Sequence, residues 1–162
     1  MRHEVKIINF DIISISHENI FEEINRIIHE VICSLEKGYD TIVDAAGEGK
    51  EAILKEYSGN KKKLDRDKSL ILQFVSDIAY HAVTQVLISG LVLFGGDTAA
   101  AVANRLSVKG IEITGQAEPY ILRGIFIGGV LPNLPVVTKA GGFGRENSLA
   151  AIFDSFRRDE NL

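Results

Sequence analysis

Two short glycine clusters, each predicted to lie between an apolar strand and a helix, constrain the fold of this chain most. The first is Gly95-Gly96, which follows the apolar residues 91–94 and precedes Asp97 and Thr98. Such a turn exposes backbone N–H groups at the start of a helix, where the helix dipole attracts anions, and phosphate above all. In this interpretation Gly95 and Gly96 let a phosphate approach the backbone. Thr98 donates a hydroxyl hydrogen bond, and Asp97 orients the nucleotide or holds a water molecule on Mg²⁺.

A purely structural interpretation of the first cluster stays open at this point. Asp97 or Thr98 caps the following helix, and the two glycines only make the turn that leads into it. The cluster is not a Walker phosphate-binding loop, because the G-x-x-x-x-G-K-[ST] spacing is absent.

The second cluster consists of Gly141, Gly142 and Gly144, and it follows Lys139 at the end of another apolar run. A lysine that leaves a strand beside three glycines is well placed to pair with a phosphate or a carboxylate. The structural alternative is a tight turn from which Lys139 reaches solvent. Because ligands of α/β proteins bind at the carboxyl ends of strands, two such strand ends predict two halves of one nucleotide pocket.

Other candidate motifs are weaker. Gly128-Gly129 also follows apolar residues, but residues 130–133 do not begin a helix, so this pair is interpreted as a plain turn. His29 and Cys33 lie one helical turn apart, a spacing that can bind a metal, yet no second pair matches them, and no metal site is predicted. No residue is assigned as the catalytic acid or base.

Hydrophobic periodicity predicts alternating strands and helices, with Gly38 and Gly90 ending the two long helices. Strands are predicted over Val5–Phe10, Thr41–Ala46, Leu91–Phe94, Ile111–Gln116, Ile121–Ile127 and Leu134–Thr138. Helices are predicted over His17–Lys37, Asp65–Ser89, Thr98–Ser107 and Arg145–Arg157, with a short one over Lys50–Tyr57. We therefore expect a single α/β domain over residues 1–162, with three-layer α/β/α architecture and a mixed, mostly parallel sheet.

Composition excludes several classes of protein. The 162 residues carry a net charge of −4, which argues against a general nucleic-acid binder. The single cysteine allows no disulfide within the chain, and no apolar run approaches the ~18 residues of a membrane span. A cytoplasmic protein without a membrane or nucleic-acid partner is the expectation.

The two glycine motifs together resemble a known pattern. Residues 91–99, a leucine near Leu106 and residues 134–144 are similar in order and spacing to the C-terminal, nucleotide-binding domain of the four-carbon acid sugar kinase family. The resemblance implies that ATP binds at Gly95, Gly96, Asp97, Thr98 and the turn formed by Gly141, Gly142 and Gly144. It also implies phosphoryl transfer to a sugar acid such as a threonate, erythronate or oxo-tetronate, with Mg²⁺ bridging the phosphates. Lys139 is then the candidate countercharge for the phosphates.

Two departures from the family pattern qualify these expectations. Residues 118–121 stand where the family usually carries a Pro-Gly-Val-Pro-like turn. Family members also have a large N-terminal domain that binds the sugar acid and an upstream serine-containing segment that touches the nucleotide. We expect this chain to begin after both and therefore to be inactive as a kinase by itself.

One further expectation follows from the missing half. The face that normally meets it would be exposed, and exposed apolar faces favour association, so a homodimer is expected. The rival function is a non-enzymatic module, which binds a nucleotide or anion or remains as a degenerate remnant in an assembly. A dinucleotide-dependent oxidoreductase is disfavoured, because no G-x-G-x-x-G motif follows a strand.

Overall fold

In the computed structural model, which describes residues 4–9, 20–45, 61–140, 145 and 147–157, the chain divides into two units, Met1–Val86 and Leu87–Leu162. The first unit contains strand β1 (Val5–Asn9), helix α1 (Ile20–Glu36), strand β2 (Asp40–Asp44) and helix α2 (Lys61–Gln85). The second contains β3 (Leu91–Phe94), α3 (Gly96–Arg105), β4 (Gly110–Glu118), β5 (Ile121–Ile127), β6 (Pro135–Lys139) and α4 (Ser148–Arg157). The predicted helix over Lys50–Tyr57 lies outside the described residues.

In the first unit, β1 and β2 pair in parallel, and α1 packs against both strands and against α2. The apolar residues of α1 recur every three or four positions, so they form one continuous stripe along the helix. That stripe packs against apolar residues of β1 and α2 to form the core of this unit. The buried members are Ile8, Ile20, Ile24, Ile27, Val31, Phe74, Ile78 and Ala82.

Gly38 ends α1 as predicted. It has a φ of 81°, and its N–H donates to the Leu35 carbonyl at 2.9 Å, while the Tyr39 N–H donates to the Ser34 carbonyl at 3.1 Å. This pair of hydrogen bonds is the Schellman motif, in which a left-handed residue satisfies the last carbonyls of a helix.

Gly90 has a different role from the one predicted. Helix α2 ends at Gln85, so the expectation of a helix that continues to Ser89 and stops at Gly90 is wrong. A Cβ atom at Gly90 would lie 2.3 Å from Cε1 of Phe156, on α4. Glycine stands at this position because the Phe156 ring packs directly against the backbone there.

The second unit contains a four-stranded sheet in the order β3-β6-β5-β4. Strand β6 runs parallel to β3, and β5 is antiparallel to both β6 and β4. The predicted α/β class with a mixed sheet is confirmed. The described strands, however, form two sheets, and their pairings divide evenly between parallel and antiparallel instead of being mostly parallel. The reason is local: only residues 119–120 join β4 to β5, and so short a connection makes a hairpin.

Strand β6 is buried on both faces. Val136 and Val137 point to opposite sides of the sheet, and both are fully buried. Val137 packs with Ile152 and Phe156 of α4, whereas α3 contacts β3 and β6 and buries Val102 completely. The middle of β6 is therefore packed on both faces, next to its carboxyl end. No helix among the described residues is both long and apolar enough to cross a membrane.

Candidate functional site

The carboxyl ends of β3 and β6 lie side by side. Phe94 and Lys139, the last residues of these parallel strands, are partners in the ladder. The next residue along, Gly95, donates its N–H to the Lys139 carbonyl at 2.9 Å. The first glycine turn and the lysine of the second motif therefore meet at one edge of the sheet.

Gly95 occupies a backbone conformation that is nearly restricted to glycine. Its φ is 91° and its ψ is 140°, so a side chain here would strain the backbone. Gly95 is also the N-cap of α3, and no side chain caps this helix. The interpretation of Asp97 or Thr98 as the cap is therefore wrong: the chain turns at Gly95, the helix begins at Gly96, and both residues lie inside its first turn.

The start of α3 presents backbone donors and open space. The first hydrogen bond of the helix runs from the Ala99 N–H to the Gly95 carbonyl at 3.0 Å. The N–H groups of Gly96 and Thr98 precede that bond and point out of the helix end, as the first amides of any α-helix do. A Cβ atom at Gly96 would meet no atom within 4 Å. A ligand can therefore approach the backbone at the positive end of the helix dipole.

The other two predicted residues of this motif line the same helix end. The side chain of Asp97 is exposed in the first turn, and Thr98 is half-buried. The Thr98 Oγ1 lies 3.8 Å from the position that a Cβ atom of Gly95 would occupy, so the hydroxyl sits over the glycine turn. A hydroxyl, a carboxylate and free helix donors are thus gathered within one turn of helix.

Lys139 is half-buried at this edge. Its Nζ lies 5.3 Å from the centroid of the Phe94 ring and donates to the Ala140 carbonyl at 3.4 Å. Within the part of the chain that the structure describes, no carboxylate forms an ion pair with Lys139. Its ammonium group therefore contacts a ring face and one carbonyl oxygen. Neither contact neutralises the positive charge, so the charge is available to a phosphate.

Phe94 is the residue that the sequence analysis missed. The sequence pattern predicts it to be the last residue of an apolar strand, and in the structure 44% of it is exposed. Parallel partners present their side chains on the same face, and this register places the ring next to Lys139. The sequence signal that could have indicated this role is an aromatic residue directly before a glycine turn.

A hydrogen-bonded pair lies farther along the same edge. Strand β4 runs in the same direction as β6, so its last residue, Glu118, is also at a carboxyl end. The buried Ser148 Oγ donates to the Glu118 carboxylate and accepts from the Arg145 N–H at 2.6 Å. Residues 118–121, where the family pattern differs, form the hairpin turn between β4 and β5, in which Tyr120 has a φ of 68°.

The remaining sequence motifs do not join this arrangement. Gly141, Gly142 and Gly144 lie outside the described residues. Gly128-Gly129 forms a turn that packs on the end of α3, where a Cβ atom at Gly129 would lie 2.6 Å from the Leu106 carbonyl oxygen. The Cys33 Sγ lies 3.7 Å from the His29 Nε2, and among the described residues no cluster of three or more His, Cys, Asp or Glu side chains is arranged to hold a metal.

The fold and this edge define an α/β protein in which a glycine turn, a helix start and a lysine converge. A family model described as "Nucleotide-binding C-terminal domain" matches residues 2–149, and the chain belongs to that family.

Relatives with assigned activities are four-carbon acid sugar kinases, as the sequence resemblance implies. A D-threonate kinase from Salmonella typhimurium is 27% identical over 150 residues, which are 91% of this chain and 36% of that protein. A D-threonate kinase from Bordetella bronchiseptica is 33% identical over 71% of the chain and 29% of its own length. A D-erythronate kinase from Heliobacterium modesticaldum is 31% identical over 67 residues. The chain spans about a third of the length of the two D-threonate kinases.

Solved structures show the same fold. A Haemophilus influenzae protein of the DUF1537 family superposes with a TM-score of 0.72 at 20% identity, covering 94% of this chain and 35% of that one. A DUF1537 protein from Bordetella bronchiseptica, described as a domain-swapped dimer with bound citrate, has a TM-score of 0.67 at 24% identity and covers 96% and 35%.

Proposed function

We propose that this chain supplies the ATP-binding part of a kinase that phosphorylates four-carbon sugar acids of the threonate, erythronate or oxo-tetronate type. The observation that carries the proposal is the junction at Gly95, where the start of α3 and Lys139 are joined by a backbone hydrogen bond. The relatives, named as D-threonate and D-erythronate kinases, support the substrate class.

The geometry supports a division of labour among the predicted residues. The N–H groups at the start of α3, with Gly96 leaving room for close approach, bind the nucleotide phosphates. Thr98 adds a hydroxyl donor, and Lys139 supplies a positive charge. Gly141, Gly142 and Gly144, which follow Lys139 and Ala140 in the sequence, are proposed to take part in binding the nucleotide.

Mg²⁺ fits the donors at this helix end. Asp97 would supply an exposed carboxylate there, which can accept a hydrogen bond from a water molecule on Mg²⁺. Mg²⁺ usually enters such sites bound to the substrate phosphates and keeps several waters. A single carboxylate that contacts one of these waters is therefore sufficient. The ion would supply charge neutralisation between the phosphates. Asp97 would then hold one of its waters.

The family match runs through both units, which supports a single nucleotide-binding domain over residues 1–162. Because the chain spans about a third of the D-threonate kinases, the sugar acid is proposed to bind an N-terminal domain outside this sequence. We propose that the general base belongs to that domain as well. A cytoplasmic location and a homodimer complete the proposal, and the Bordetella bronchiseptica neighbour is described as a dimer.

Titration calorimetry with ATP and Mg²⁺ tests the nucleotide site. The wild-type chain should bind saturably, and Gly96→Val should abolish binding, because the added methyl groups fill the space that the phosphates need. Gly115→Val is the matched control. A Cβ atom at Gly115 also meets nothing within 4 Å, but this residue is on β4, at the far end of the strand order from β3. Absence of binding by the wild-type chain, or equal binding by all three proteins, would contradict the proposal.

A kinase assay tests the proposed phosphoryl transfer to a sugar acid. The isolated chain should not phosphorylate D-threonate or D-erythronate, and a full-length relative carrying the Gly96→Val equivalent should lose turnover. Nucleotide binding without any effect of that substitution on turnover would favour a non-enzymatic binding module instead.

A further inference from the structure

We propose that Phe94 is a positioning residue for Lys139: the face of its ring holds the lysine ammonium at the carboxyl edge of β3 and β6, ready for the nucleotide phosphates. The inference rests on the proposed function, in which Lys139 is the phosphate countercharge, and it adds a residue for which neither the sequence motifs nor the family match provides a role.

The placement follows from the sheet itself. Phe94 and Lys139 are in register at the ends of neighbouring parallel strands, so their side chains emerge on the same face of the sheet. The Nζ lies 5.3 Å from the ring centroid, inside the ~6 Å range of a cation–π contact. Because Val137 packs β6 into the core and the ladder sets the register, the sheet fixes the backbone positions from which the two side chains extend.

The exposure of Phe94 is otherwise unexplained by packing. The preceding residue, Leu93, is buried, whereas 44% of Phe94 is exposed at the strand end. An aromatic ring adds a negative π face, which attracts a cation.

A ring face suits this task better than a carboxylate. An Asp or Glu partner would neutralise the ammonium, and an incoming phosphate would have to displace it. The ring restricts the long lysine side chain while leaving its full charge for the ligand. The contacts of the described residues fit this, because Lys139 forms no ion pair with a carboxylate among them.

The test is a double-mutant cycle on ATP affinity with Phe94→Leu, Lys139→Met and the double variant. Phe94→Leu should weaken binding about two- to fivefold, which is the expected size of an exposed cation–π contact. In the Lys139→Met background the same change should have no further effect. Phe94→Trp should keep or raise affinity, since Trp is the strongest cation–π partner.

A readout that does not depend on ATP accompanies the cycle. The NMR signals of the Lys139 ε-methylene should be shifted upfield by the Phe94 ring in the free protein, and Phe94→Leu should return them to ordinary lysine positions. The signals of Lys109 should not move. Lys109 precedes β4 and therefore lies at the opposite end of the sheet from Lys139.

The outcomes separate the two proposals. If the wild-type chain fails to bind ATP, the proposed function is wrong. If it binds and Lys139→Met weakens binding, but Phe94→Leu behaves as wild type, the role of Phe94 is wrong and the nucleotide site stands. If Phe94→Leu weakens ATP binding equally with and without Lys139, the ring contacts the nucleotide directly, and the positioning role is again overturned.

Discussion

The Gly95 N–H and the Lys139 carbonyl are 2.9 Å apart, and this hydrogen bond extends the β3–β6 ladder one step beyond its last strand pair. It ties the turn before α3 to the strand that precedes the second glycine cluster. A shift of either strand by one residue would separate the helix start from the lysine, because strand register fixes which residues lie together.

The two glycines of the first cluster should respond differently to alanine. Gly95→Ala should lower the free energy of unfolding by about 1–3 kcal/mol, because Gly95 has the positive φ and extended ψ that side chains avoid. Gly96→Ala should be neutral or stabilising by up to about 1 kcal/mol, since a Cβ atom there meets nothing and the residue is helical. Urea unfolding of both variants checks this. Equal losses would show that the glycines are not distinguished by backbone conformation.

Gly90 should tolerate no side chain while Phe156 is present. Gly90→Ala is expected to cost about 1–3 kcal/mol of unfolding free energy, because its Cβ atom would overlap the ring. The loss should shrink in a Phe156→Leu background, where the ring is gone. Gly115→Ala, at an open position, should change little. Thermal unfolding of these variants measures the losses. If Gly90→Ala cost as much stability in the Phe156→Leu background as in the wild type, overlap with the ring would not be the cause.

Ser148 should contribute more to stability than another buried serine of the same helix. Ser148→Ala leaves the Glu118 carboxylate and the Arg145 N–H without their shared partner, which should cost about 1–3 kcal/mol. Ser155→Ala removes only a hydroxyl that donates to the Ile152 carbonyl within the helix, and should cost less. Denaturant titration distinguishes them, and equal costs would remove the special role of the Glu118 pair.

Acid should weaken the first unit through two glutamates on α1. Hydrogen bonding to Arg26 lowers the pKa of Glu23 below its ordinary value of 4.5, and the contact with Lys6 does the same for Glu30. Carboxylates with lowered pKa values stabilise the folded state fully above 4.5, and this stabilisation is lost as the pH falls through their folded-state pKa values.

Arg26→Met should reduce this acid-side pH dependence, because it removes the partner of Glu23 and one of the two partners of Glu30. Because the ion pairs are exposed, each should contribute only about 0.2–1 kcal/mol near neutrality. The unfolding midpoint of wild type and variant, measured near neutrality and well below 4.5, tests the effect. A variant whose stability falls as steeply with acid as that of the wild type would show that the ion pairs of Arg26 do not contribute to the pH dependence.

The strands and helices were predictable because their signals are local. The apolar stripe of α1, its stop at Gly38 and the strand–glycine–helix order around Gly95 can each be read within a few residues. The family resemblance was readable for the same reason, since its motifs are short and keep their order and spacing.

What could not be predicted depends on residues far apart in sequence. Gly90 looks like a helix stop until Phe156 packs against it. Phe94 looks like core until the register of β3 and β6 places it beside Lys139 at an exposed strand end. Glu118 and Ser148 are 30 residues apart, so no periodicity or local motif connects them.

The most direct test of the central claim is the amide NMR spectrum of the chain titrated with ATP and Mg²⁺. If the start of α3 binds the phosphates, the N–H signals of Gly96 and Thr98 should move saturably and together, and that of Gly115 on β4 should stay in place. The Gly96→Val variant should show no such shifts. Saturable shifts confined to other parts of the chain, with Gly96 and Thr98 unmoved, would contradict the account.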